Sequence, residues 1–125
     1  MERSREDEVR DRLRDIGGDD PGPAERALMS RLIRSFLAKT PGGVDRLGEL
    51  LRGGDPAQVR DHAHTMKGSA ANIGAGTLAG ILAEVEDSAR EGHVPDPDVT
   101  LGRVAAEQAL ASAVLERYAA ELEKS

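Results

Sequence analysis

The spacing of the apolar residues is the feature that most constrains the fold of this chain. In each long segment they recur at intervals of three and four positions, which is the period of one face of an α-helix, and no segment alternates apolar and polar residues as a half-buried strand does. Aromatic residues make up only 2% of the chain, so its core must be aliphatic, which suits packed helices better than a β-sandwich. The pattern predicts an all-α fold.

Glycine- and proline-rich breaks divide the chain into predicted helices. These helices are expected at about residues 2–16, 23–39, 41–52, 56–72, 75–91 and 99–123. Thr40 and Asp55 each precede a proline, a pattern typical of an N-cap followed by the first helical turn. Gly74 and Gly76 predict a turn or strained joint before the fifth helix.

Short connections between long amphipathic helices favour antiparallel neighbours. The expected architecture is therefore an antiparallel up-and-down four-helix bundle with one or two accessory N-terminal helices. Residues 1–20 are expected to form a charged N-terminal segment, either a short accessory helix or a frayed one, and residues 21–125 the bundle domain. The bundle would satisfy all the apolar faces, so a monomer is expected.

Charge and composition exclude several classes of protein. A net charge of −6 argues against a general nucleic-acid binder, which needs a basic face. No run of 18 apolar residues is present, so no membrane span is expected. The absence of cysteine excludes disulfides and thiolate sites and fits a reducing compartment. A cytoplasmic location follows as the expectation.

His64 lies on the polar side of the predicted helix at 56–72. The apolar stripe of this helix consists of Val59, Ala63, Met66, Ala70 and Ile73. The helical neighbours of His64 are Arg60, Lys67, Gly68 and Ala71, so the imidazole is expected between two cations with little bulk over it. Glycine inside a helix costs about 1 kcal/mol relative to alanine. Room for a second molecule to approach the ring would explain why glycine stands at position 68 despite this cost.

The residues around His64 suit a carrier of phosphoryl groups. Neutral imidazole is nucleophilic near neutral pH and can form a covalent intermediate. Lys67 and Arg60 would stabilise the charge of a phosphoryl group attached to it. No Walker loop or kinase glycine-rich loop is present, so the chain would not obtain that group from ATP by itself.

Three segments resemble those of histidine-containing phosphotransfer (HPt) domains. AHTMKGSAANIGA, residues 63–75, resembles the family signature, roughly A-H-x-[LM]-K-G-S-[SA]-x-x-[LI]-G-A. LAGILAEVEDSAREG, residues 78–92, is similar to the helix that follows, with its L-x-x-x-x-x-E-[LV]-E pattern, and GELLRGGD at 48–55 also fits. One departure is Leu82, where many members carry cysteine; because it lies in an apolar stripe, it should affect packing rather than chemistry.

The resemblance implies a four-helix bundle that relays phosphoryl groups between receiver-domain aspartates in two-component signalling. His64 would accept the phosphoryl group, Lys67 would lie beside it, and Gly68, with Ala71, would leave clearance for the receiver. The partners would be response-regulator receivers and a hybrid histidine kinase, with no bound cofactor and Mg²⁺ supplied by the receiver. Such a chain is a phosphocarrier without kinase activity of its own. The broad apolar face at 28–37 would dock the receiver through Leu28 and Leu32.

Other histidines and acids have simpler interpretations. His62 is expected to be a packing residue at the edge of the stripe, and His93 a loop residue, so the three histidines do not form a metal site. Glu84, Glu86 and Asp87 are expected to form a solvated acidic face. The alternative function is a helical interaction module that docks on a receiver without phosphoryl transfer.

Overall fold

Five helices account for most of residues 4–124, the part of the chain described by the computed structural model. They are α1 (Arg5–Gly17), α2 (Pro23–Gly53), α3 (Pro56–Asn72), α4 (Gly76–Arg90) and α5 (Pro97–Glu123). Residues 4–124 contain no strand, so the predicted all-α class is confirmed. The expected helix start at residue 2 lies outside the described residues. No helix in the described part combines the length and apolar character needed to cross a membrane.

Helices α2 to α5 form the bundle, in which α3 packs most extensively against α4, and α2 against α5. The largest fully buried side chains come from all five helices and are aliphatic: Val9, Ile33, Leu47, Val59, Leu78, Leu82, Val104 and Leu115. This single aliphatic core agrees with the expectation from the low aromatic content. Leu82 is fully buried within it, as its place in the apolar stripe predicted.

Helix α2 is continuous where a break was predicted. Pro41 lies inside this 31-residue helix, and Thr40 is not an N-cap: its hydroxyl donates to the Phe36 carbonyl at 2.6 Å. An internal proline costs about 3 kcal/mol or more. Flanking side chains such as Ile33 and Leu47 are completely buried, at about 1.5–3 kcal/mol each, so packing on both sides of Pro41 outweighs the local cost.

Helix α1 is attached to the bundle by two buried apolar side chains and several polar contacts. Val9 and Leu13 enter the core. The Arg12 guanidinium donates to the carbonyl of Asn72 at 2.7 Å, at the end of α3. At the start of α4, which lacks a capping side chain of its own, the Glu8 carboxylate accepts from the Thr77 N–H at 3.3 Å. Helix α1 therefore covers the α3–α4 connection.

Gly74 allows that close approach. Its φ of +86° lies in the left-handed region, and a Cβ built on it would lie 2.9 Å from the Val9 Cα atom. The turn predicted from Gly74 is confirmed, and only a residue without a side chain fits both its backbone conformation and the contact with α1.

Candidate functional site

Helix α3 presents His64 to solvent near its middle. The helix begins as predicted, with the Asp55 carboxylate accepting from the Ala57 N–H at 2.9 Å and Pro56 in the first turn. Val59, Ala63, Met66 and Ala70 are buried. The His64 side chain is 67% exposed, on the side away from this stripe. The hydrogen bond of the ring is made by Nδ1, and no residue within 4–124 forms a hydrogen bond with the Nε2 atom of His64.

Glu86 of α4 holds the other side of the ring. Its Oε2 lies 2.9 Å from His64 Nδ1, and its side chain is only 3% exposed. The prediction that Glu86 belongs to a solvated acidic face is therefore wrong, although Glu84 and Asp87 are exposed. Glu86 lies one helical turn after Leu82, on the buried side of α4 that faces α3. This four-residue spacing from Leu82 is the feature of the sequence that could have predicted the burial of Glu86.

Two cations neutralise this buried carboxylate. Lys67 Nζ lies 2.5 Å from Oε1, in an ion pair rather than a well-directed hydrogen bond. Arg90, one turn along α4, donates from Nη2 to Oε2 at 2.8 Å. The Lys67 ammonium, and to a smaller extent the His64 imidazole, hold the pKa of Glu86 below its usual value although burial opposes this. Glu86 is therefore ionised at neutral pH.

An ionised carboxylate can only accept hydrogen bonds, so its contact with His64 selects the tautomer of the ring. Nδ1 carries the proton and donates to Glu86, which leaves the Nε2 lone pair facing solvent. A buried carboxylate on one ring nitrogen and open solvent at the other is an arrangement suited to nucleophilic attack by Nε2.

Arg60 and Lys67 were both expected beside His64, and of these two only Lys67 forms an ion pair with Glu86. Arg60 borders the same shallow depression as His64, Thr65 and Arg90. Its guanidinium donates to Asp61 at 3.2 Å rather than to the ring or to Glu86. Arg90 was missed by sequence reasoning, because its place at the site depends on how α4 packs against α3.

Two small residues lie next to His64 on the surface of α3. Gly68 and Ala71 are both exposed on α3. A Cβ built on Gly68 would meet no atom within 4 Å, so this glycine is not required for packing within the chain. The clearance for a receiver at these two residues stays a prediction, which the open space over Gly68 favours.

An apolar groove of about 340 Å³ lies between α2 and α3, next to the depression at His64, and Thr65 borders both. Leu32, Phe36 and Met66 contribute to its lining. Leu28 does not line this groove, but it is one of the large exposed apolar residues, at 43% exposure.

The other histidines lie apart from the site. His62 is half-buried in the groove wall, with Nε2 donating to the Gly43 carbonyl at 2.8 Å. His93 is exposed between α4 and α5. Within residues 4–124 no three side chains of His, Asp or Glu are grouped as a metal site would require.

Two comparisons with known proteins point to the same family. The family model described as Hpt domain matches residues 31–124. The fold is similar to the crystal structure of histidine-containing phosphotransfer protein B (HptB) from Pseudomonas aeruginosa PAO1, with a TM-score of 0.73 and 25% sequence identity over 92% of this chain and 93% of that one. None of the curated proteins compared with the chain matches it.

The matched region contains the exposed imidazole of His64 and its contact with Glu86, as well as all of α3, α4 and α5. Hpt domains are phosphotransfer modules of two-component signalling, and they act as phosphocarriers rather than kinases. From this match and from the helical bundle, we conclude that the chain belongs to the Hpt domain family.

Proposed function

We propose that the chain is a phosphorelay intermediate. It accepts a phosphoryl group on His64 from the aspartyl-phosphate of a receiver domain and passes it to another receiver. The observation that carries this proposal is the exposed imidazole whose Nδ1 is held by a buried, ionised Glu86. An orienting carboxylate behind a ring with one free nitrogen is what a reversible nitrogen nucleophile needs.

The chemical step conserves atoms and charge. The Nε2 lone pair attacks phosphorus, an N–P bond forms, and the P–O bond to the aspartate breaks with its electron pair returned to the carboxylate. The Nδ1 proton stays between His64 and Glu86, so the phosphorylated ring carries a positive charge that Glu86 stabilises. In the reverse direction the ring leaves as neutral imidazole, a good leaving group, so the phosphoryl group can pass on to a second receiver.

The cations near the ring stabilise the phosphoryl oxygens. Lys67 does so as a charge fixed beside Glu86, and Arg60 from the border of the depression. Mg²⁺ comes with the receiver, where it serves the aspartyl-phosphate. This division leaves the carrier to supply the nucleophile and part of the charge stabilisation.

The receiver docks over α2 and α3. Gly68 and Ala71 leave clearance for it beside His64, and Leu32 lines the neighbouring groove. Leu28 extends the apolar surface along α2 toward its N-terminus. Burial of these side chains would supply the contact energy of a transient complex.

Other parts of the proposal concern the pathway. A hybrid histidine kinase uses ATP upstream, and this chain has no ATP-dependent kinase activity. It acts as a monomer in the cytoplasm, a location that fits a chain without cysteine.

The test is incubation of the protein with a phosphorylated receiver and Mg²⁺. The expected product is a phosphoprotein whose label is labile in acid and stable in base, and which is absent from His64→Gln. His93→Gln is the matched control, because it removes an exposed histidine from the loop between α4 and α5, which makes no contact with Glu86 among the hydrogen bonds of residues 4–124, and it should leave labelling unchanged.

Two results would contradict transfer through His64. If His64→Gln retains the label, another residue is the acceptor. If the folded protein binds the receiver but takes no label from any competent donor, the chain is the docking module that transfers nothing.

A further inference from the structure

The buried carboxylate of Glu86 is surrounded by more than one positive group. One carboxylate contacts two full cations, Lys67 and Arg90, in addition to the Nδ1–H group of His64. Arg90 also pairs with Asp87, so these four charged groups balance before phosphorylation. A phosphoryl group attached to Nε2 would add negative charge at the edge of the ring, and a cation that binds it would have to leave Glu86.

The two oxygens of Glu86 differ in their dependence on these cations. Oε1 is buried and makes no hydrogen bond with residues 4–124, and its charge partner is Lys67 at 2.5 Å. Oε2 accepts from both His64 Nδ1 and Arg90 Nη2. Departure of Lys67 would leave Oε1 buried without a partner, which is costly. Departure of Arg90 would leave Oε2 bonded to His64.

Arg90 is also the more exposed of the two. Its side chain is 57% exposed, against 33% for Lys67. Its second contact is with Asp87, which is itself 69% exposed, and surface ion pairs of this kind contribute little.

We propose that Arg90 binds the phosphoryl oxygens when His64 is phosphorylated, while Lys67 remains the counter-ion of Glu86. This inference rests on the proposed function. The planar guanidinium can engage two phosphoryl oxygens at once, whereas an ammonium acts as a point charge. The ring becomes cationic on phosphorylation, so Glu86 keeps two positive neighbours after Arg90 has left. Arg60 contacts Asp61 and has no such exchange of partners.

The test uses the full chain phosphorylated with phosphoramidate, a small donor that needs no receiver. Titration of the phosphohistidine by ³¹P NMR measures the pKa of the phosphoryl group, which a bound cation lowers. Arg90→Gln is expected to raise that pKa by about half a unit, the effect of one partly exposed charge pair. The ¹⁵N resonances of the Arg90 guanidinium should shift on phosphorylation, and the Lys67 ammonium resonance should stay nearly unchanged.

Arg103→Gln is the matched control. Arg103 is 54% exposed and pairs with Glu84 of α4, as Arg90 pairs with Glu86, so its loss should leave the phosphoryl pKa unchanged. Arg60→Gln separates the two arginines at the depression and should have the smaller effect.

Three outcomes would overturn the inference. An unchanged phosphoryl pKa in Arg90→Gln would remove Arg90 from the phosphate, and a shift of the Lys67 resonance in place of the Arg90 resonances would assign the contact to the lysine. If neither phosphoramidate nor a receiver labels His64, the proposed function fails and the inference fails with it. Labelling of His64 with no role for Arg90 refutes the inference alone.

Discussion

Gly68 should respond in opposite directions in stability and in function. It lies inside α3, one turn after His64, and a Cβ added there meets no atom within 4 Å. Its backbone is not among the positive-φ glycines, so substitution introduces no strain. Replacing a helical glycine by alanine then stabilises the folded chain by about 1 kcal/mol, since helix propensity is the term that changes. For a chain of this size the melting temperature should rise by about 4 °C.

The same substitution should slow phosphoryl transfer from a receiver. If the space over Gly68 is filled by the partner in the complex, an added methyl group overpacks that interface at a cost of about 1–3 kcal/mol. A loss of about 1.4 kcal/mol in the transition state corresponds to a tenfold lower rate. Gly68→Gln carries a larger side chain with similar helix propensity and should slow transfer further at similar stability.

Thermal unfolding followed by circular dichroism gives the stability, and rapid-quench measurement of label transfer gives the rate. Gly102→Ala is the control, because Gly102 lies in α5, is exposed and has no atom within 4 Å of an added Cβ. It should stabilise the chain similarly and leave transfer unchanged. The reasoning is refuted if Gly68→Gln transfers at the wild-type rate, or if Gly68→Ala lowers the melting temperature.

Three further predictions concern the groove, the ion pairs and the α1 contact. If the groove docks the receiver and takes no part in the chemistry, Leu32→Asp should slow transfer from a receiver at least tenfold and leave labelling by phosphoramidate unchanged; equal loss in both assays would contradict this. The Arg34 guanidinium, with help from Ser30, lowers the pKa of Glu123 from 4.5 to about 2, so the stability this pair contributes is present above pH 4.5 and lost as the pH falls toward 2. Acid titration of Glu123→Gln, followed by circular dichroism, should therefore show a weaker loss of stability across that range than wild type, and parallel curves would refute the assignment. Gly74→Ala should lower the free energy of urea-induced unfolding by about 2 kcal/mol or more, since left-handed backbone and a clash with α1 both oppose the side chain; a change below about 0.5 kcal/mol would show that α1 adjusts freely.

Local patterns were sufficient for the helical class and for most helix boundaries. The cap at Asp55 and the turn at Gly74 depend on neighbouring residues, so the sequence alone predicted them. Pro41 was misjudged because its cost is local while the compensation is not: the buried side chains on both sides of it contact other helices. Propensity rules therefore failed where tertiary packing supplied more free energy than the proline removed.

The candidate site likewise has a part that the sequence predicted and a part that tertiary packing decided. The sequence by itself determined that His64 lies on the polar side of an amphipathic helix, with Lys67 and Gly68 one turn away, because residues three and four apart on a helix are neighbours. Only the packing of α4 against α3 decided that a buried Glu86 orients the ring, and that Glu86 brings its neighbour on α4, Arg90, to the site. The contact between His64 and Glu86 joins residues 22 positions apart. Its geometry depends on the angle and register between two helices, which periodicity within one helix does not contain.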